Sequence, residues 1–96
     1  MAAYFVFNYR IDDRDAYQPY LGEVPQVLQA YGAEILAADF ESECVEGDAL
    51  PVTVVLKFES KEAARKWYDS PEYQAIIGLR TDNSTGIGAI AGGAGS

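Results

Sequence analysis

Hydrophobic positions alternate with a period of two from Ala3 to Ile11. Ala3, Phe5, Phe7 and Tyr9 fall on one side, and Tyr4 and Val6, followed by Asn8 and Arg10, fall on the other. This predicts a strand whose first half is apolar on both faces, so both faces need cover. Asp12-Asp13 offer a turn and a cap, after which Tyr17, Tyr20, Leu21, Val24, Val27, Leu28 and Tyr31 share one helical face, with Gly32 just beyond. Pro19 and Pro25 interrupt this stretch. Each removes a backbone donor and crowds the preceding turn, so the pattern predicts a kinked helix, or two helical pieces, between Arg14 and Tyr31. Period two resumes over Glu34–Phe40, with a bulge and a continuation over Ser42–Val45. A turn at Glu46-Gly47-Asp48 then leads into Val52–Phe58, predicting a hairpin.

The richest stretch is Lys57 to Arg80. Ser60 is placed to cap a helix over Glu62–Asp69, with Ala63, Ala64, Trp67 and Tyr68 on its apolar face. Ser70 as N-cap, Pro71 at the first helical position and Glu72 near the positive dipole end start a further helix, whose face runs through Tyr73, Ile76, Ile77 and Arg80. Thr85–Ala91 is a short fourth strand, and Gly92–Ser96 a loose, glycine-rich tail behind a single domain over residues 1–91. The order strand, helix, strand, strand, helix, strand is the split βαβ arrangement of an α+β, ferredoxin-like βαββαβ domain. Its helices cover one face of the sheet, yet Tyr4, Val6 and Val55 lie on the other. The economical cover is a second copy packed sheet against sheet, a barrel-like homodimer.

Composition narrows the chemistry. With one cysteine and no histidine in 96 residues, an internal disulfide, a Cys/His zinc site, a Ser-His triad and an imidazole base are excluded. The start MAAYFVFNYR has no leader pattern, and no apolar run reaches the roughly 18 residues of a membrane span, which points to a soluble, cytoplasmic protein. A net charge of −8 without a basic patch argues against nucleic acid and anionic membranes as partners. Gly86, Gly88 and Gly92 have the wrong spacing for a dinucleotide fingerprint. The acidic run Asp39, Glu41, Glu43, Glu46 and Asp48 reads as a solvated edge rather than a cation site, with Cys44 a bystander within it. No metal and no cofactor are expected.

The aromatic load carries two readings. Tyr4, Tyr17, Tyr20, Tyr31, Trp67, Tyr68 and Tyr73 are core residues with their polar atoms bonded at the margin, or some of them line a ligand cleft between sheet and helices. The candidate pocket is Asn8, Arg10, Tyr17, Lys57, Trp67, Tyr73 and Arg80. Lys57 is either a desolvated amine suited to proton transfer or an ion-pair partner with no further role. An enzyme is expected to show a pocket of roughly 300 Å³ or more with convergent polar groups; an accessory dimer can have a filled interior.

Asp13, Ala16, Tyr17 and Tyr20, then Tyr31-Gly32, Glu46-Gly47, and above all KFESKEAARKWYDSPEYQ followed by Arg80, resemble the bacterial domain-of-unknown-function family 1330 (DUF1330), within the dimeric α+β barrel superfamily. The resemblance covers roughly residues 3 to 91. It implies a ferredoxin-like protomer and a dimer, in a superfamily that also holds cofactor-free monooxygenases, lactone isomerases and haem enzymes. It implies no particular reaction. Two positions depart from the family pattern: members usually carry an acidic residue where Lys57 stands, and a basic one near Leu50 to Val52. The reading of function is therefore a cofactor-independent enzyme acting on a small apolar or aromatic molecule, or a non-catalytic small-molecule-binding or accessory dimer.

Overall fold

The computed structural model describes residues 1–94. Along the chain run β1 (Ala3–Ile11), α1 (Arg14–Ala30), β2 (Glu34–Asp39), β3 (Val52–Phe58), α2 (Lys61–Tyr68), α3 (Pro71–Thr81) and β4 (Ser84–Gly92). The strands form one antiparallel sheet in the order β2-β3-β1-β4, the ferredoxin-like arrangement that the order of elements predicts. Caps fix the helix starts. The Asp13, Ser60 and Ser70 side chains accept from the backbone N–H groups of Ala16, Ala63 and Tyr73, at 3.1, 3.0 and 3.1 Å. No helix among the described residues is long and apolar enough to cross a membrane.

The core lies on one face of the sheet. Phe5, Phe7 and Tyr9 of β1 and Val52, Leu56 and Phe58 of β3 are buried together with Tyr17, Tyr20 and Leu28 of α1, Ala64 and Trp67 of α2, and Tyr73 of α3. Trp67 is its centre: fully buried, its ring centroid lies 4.1 Å from that of Tyr73, 5.5 Å from Phe5 and 5.6 Å from Phe58. The opposite face is open. Cross-strand register aligns Ala37, Val55, Val6 and Ala89 in one apolar band across all four strands, and Ile87 beside it is 69 % exposed.

Two local expectations need correction. α1 is one continuous helix from Arg14 to Ala30 with Pro19 and Pro25 inside it, not two pieces. The carbonyls that these prolines leave without a helical donor, on Asp15 and Leu21, belong to exposed residues where water can take the missing bond. β2 ends at Asp39, and its bulge falls earlier, between Ile35 and Ala37. Two adjacent apolar residues, Ile35 and Leu36, break the alternation there, and the extra residue is absorbed on the spot. Ser42–Val45 is loop rather than strand. The Asn8 amide donates to the Leu50 and Val52 carbonyls at 2.9 and 3.0 Å and accepts from the Leu50 N–H at 3.0 Å, so β1 holds the chain entering β3. Of the predicted Gly92–Ser96 tail, Gly92 closes β4, and residues 95–96 lie outside the described residues.

β4 runs beside β1 with glycine at two successive inner-face positions, Gly86 and Gly88, before Ile90 packs on the core. A Cβ at Gly86 would run into the backbone of Asn8 and Tyr9, and one at Gly88 would lie 2.9 Å from the Phe7 ring. Phe7 in turn stacks on Phe5, with centroids 4.4 Å apart and planes 5° from parallel.

Candidate functional site

α1 packs chiefly on α3 and stands off the sheet, because its inward residues near the N-terminal end are tyrosines rather than small aliphatics. Those tyrosines meet others across the gap. The hydroxyl oxygens of Tyr9 and Tyr17 are 2.6 Å apart, as are those of Tyr20 and Tyr73. Arg80, from the last turn of α3, joins them: its Nε donates to the Tyr73 hydroxyl at 3.3 Å, and its guanidinium lies 4.8 Å from the Phe7 ring centroid and 5.8 Å from that of Tyr9. Arg80 is only 8 % exposed and has no carboxylate partner among the described residues.

Beneath α1 is a cavity of about 140 Å³. Leu21, Val24 and Leu28 of α1, Val54 and Leu56 of β3, and Ile35 and Phe40 at the β2 edge give it apolar walls; Tyr9, Tyr17, Tyr20 and Arg80 are its polar groups. Tyr73 stands behind Tyr20. A second, more open hollow of about 300 Å³ shares Tyr17, Leu21 and Phe40 with it and is edged by Arg10, Arg14 and Gln18. The inner cavity is smaller than the roughly 300 Å³ usual for ligand sites, but it is comparable to one that admits a benzene ring.

The polar groups act as donors. Burial, reinforced by the hydroxyl of Tyr9, pushes the Tyr17 phenol well above its ordinary range; burial and the Tyr73 oxygen do the same for Tyr20, and burial raises Tyr9. All three stay protonated at neutral pH. Burial works against the Arg80 charge, but the Tyr73 and Tyr20 oxygens more than offset it, and the guanidinium keeps its proton. A guanidinium only donates, so Tyr73 accepts from it. With Tyr73 donating its own hydrogen bond to the Tyr20 oxygen, the Tyr20 hydroxyl keeps its hydrogen free for the cavity. One hydrogen of the Tyr9–Tyr17 pair is likewise spare. No carboxylate among the described residues lines the cavity, so this is an array of donors around one positive charge.

Of the seven residues singled out from sequence, the structure gathers Tyr17, Tyr73 and Arg80. Trp67 is next to Tyr73 but sits in the solid core and does not line the cavity. Asn8, Arg10 and Lys57 are on the opposite face of the sheet, as strand alternation requires. Asn8 clamps the chain at Leu50. Arg10 pairs with Asp12 at 2.9 Å and reaches the rim of the outer hollow, and Lys57 lies half-buried in register with Tyr4 and Glu34. Tyr9 and Tyr20 were not in that set. The signals for them were the odd-numbered register that Tyr9 shares with Phe7, and the three-residue step from Tyr17 to Tyr20.

Residues 2–94 match the family described as domain of unknown function (DUF1330). The chain belongs to the DUF1330 family. No curated protein matches it by sequence. Among solved structures, this DUF1330 chain is similar to RPA0582, a protein of unknown function from Rhodopseudomonas palustris, at a TM-score of 0.70 and 14% identity, covering 92% of this chain and 80% of that one. It is also similar to SnoaB, a cofactor-independent oxygenase from Streptomyces nogalater, at a TM-score of 0.66 and 10% identity, covering 99% and 95%. Rv0793 from Mycobacterium tuberculosis matches at 0.55 and 15%, covering 95% and 91%. At such identities the likeness is one of fold.

Proposed function

We propose that this DUF1330 protein is a cofactor-independent enzyme that binds a small aromatic molecule as its oxyanion in the cavity beneath α1. The observation that carries this reading is Arg80: a buried cation without a carboxylate partner among the described residues, set with tyrosine hydroxyls against an apolar chamber of about 140 Å³. The tyrosine oxygens balance its burial without neutralising its charge, and an anionic ligand supplies the counter-charge. Donors in a low-dielectric site favour the ionised form of a phenol or enol, so binding lowers the ligand's pKa. The proton leaves through the open hollow to water, since no base lines the chamber among the described residues. An electron-rich phenolate or enolate is the form of such a molecule that reacts with dioxygen, and the shared fold with a cofactor-independent oxygenase supports oxygen chemistry here. The protein is expected to raise oxygen uptake in an electrode assay with single-ring phenols. A panel that neither shifts the melting temperature nor consumes oxygen would remove the reading.

The second reading, a non-catalytic binding dimer, is favoured by the small volume and the missing base. Binding of the same panel without turnover establishes it. In either case the protein is a homodimer, closed over the apolar band through Val6 and Val55, which otherwise faces water. Sedimentation at micromolar concentration is expected to give the mass of two chains; a folded monomer would contradict it.

A further inference from the structure

The two adjoining hollows carry cations on a chain that is acidic as a whole. The protein carries 15 acidic residues and seven cations, yet Arg10, Arg14 and Arg80 line these spaces and no acidic residue does, among the described residues. Along α1, Arg14, Tyr17, Gln18 and Leu21 occupy one face at steps of three, one and three, so a single helix stripe passes from a cation at the mouth to a hydroxyl and then to an apolar wall. Arg14 opens the helix between the Asp13 cap and Asp15, neither of which lines the hollow. Arg10 shares its charge with Asp12 at 2.9 Å; Arg14 is in no ion pair among the described residues and is exposed to the hollow.

Resting on the reading that the inner cavity holds an aromatic oxyanion, we propose that the ligand is an aromatic acid with two ends. Its ring and phenolic or enolic oxygen occupy the cavity at Arg80, and a carboxylate on a short arm reaches back to Arg14 in the outer hollow. The inner chamber accommodates about one ring. A substituent on that ring therefore emerges where Tyr17, Leu21 and Phe40 are common to both spaces, and the side chains that meet it beyond them are the arginines and Gln18. A carboxylate suits this place twice over: it accepts from a guanidinium, and no acidic residue among the described ones lines the hollow to oppose it.

Calorimetric titration of the native chain with p-cresol and with 4-hydroxyphenylacetate tests the idea. The acid is expected to bind roughly tenfold more tightly than the cresol, the worth of one charge-assisted contact. That advantage should shrink to about twofold or less in Arg14→Gln, while cresol binding stays unchanged, because Arg14 is exposed and touches only the outer arm. Equal binding of cresol and acid to the native protein, or an acid preference that survives Arg14→Gln, overturns the two-ended ligand and leaves the cavity reading standing. Failure of both compounds to bind overturns the cavity reading and this inference with it.

Discussion

Replacing Trp67 with alanine is expected to destabilise the fold by about 3–5 kcal/mol, measured by chemical denaturation. The indole is fully buried between Phe5, Phe58 and Tyr73, so truncation leaves a void bounded by β1, β3 and α3 that cannot collapse without moving the sheet. Domains of this size are stable by only about 5–15 kcal/mol, so much of the total is lost and the melting temperature falls by more than about 10 °C. Trp67→Phe separates packing from polar effects. The indole N–H has no hydrogen-bond partner among the described residues, so phenylalanine gives up volume but no bond and should cost clearly less than alanine. Equal losses for the two variants would mean that the indole nitrogen, not its bulk, holds the core.

Arg80→Met is expected to behave in the opposite way: binding of a phenolic ligand falls about a hundredfold or more, while thermal stability changes little. The loss of binding follows from removing the positive charge in a site otherwise made of neutral hydroxyls. The stability outcome is a balance. Deleting the guanidinium removes its contact with Phe7, worth up to about 2 kcal/mol when desolvated, and a long bond to the Tyr73 hydroxyl. It also removes a desolvation cost that the Tyr73 and Tyr20 oxygens balance in the native protein, and methionine fills much of the space, so the net change in stability is small. A large drop in melting temperature with ligand affinity intact would make Arg80 a structural residue and remove the oxyanion site.

These two residues mark what could be read from the chain alone. Trp67 is legible because Ala63, Ala64, Trp67 and Tyr68 recur on one helical face, and the Ser70-Pro71 start is legible because cap, proline and acidic residue each have a local reason to stand there. The site was legible only in part. Tyr17, Tyr73 and Arg80 sit on helix faces whose period points inward, while Asn8, Arg10 and Lys57 share the sheet face away from the helices, where strand alternation puts them. Tyr9, an aromatic residue at an odd position of β1, looks like one more piece of core. What a one-dimensional pattern does not contain is that Tyr9 and Tyr17, eight residues apart, and Tyr20 and Tyr73, 53 apart, close the same gap with paired hydroxyls. Pro19 and Pro25 do not divide α1 into two pieces because their chemistry is local, whereas the packing of that helix on α3 is not.

The glycines of β4 tie the far edge of the sheet to this chemistry. Gly86 does not itself line the cavity beneath α1, yet the bare backbone there is what lets β1 approach closely enough at Tyr9 for the two strands to stay in register. Any side chain at that position would push on the strand that carries the Tyr9 ring, and the 2.6 Å spacing to Tyr17 would change with it. The alignment of a buried hydroxyl pair is thus controlled from the margin by an omission, and a residue whose only contribution is to be small acts as a set-screw for donors on the other side of the strand.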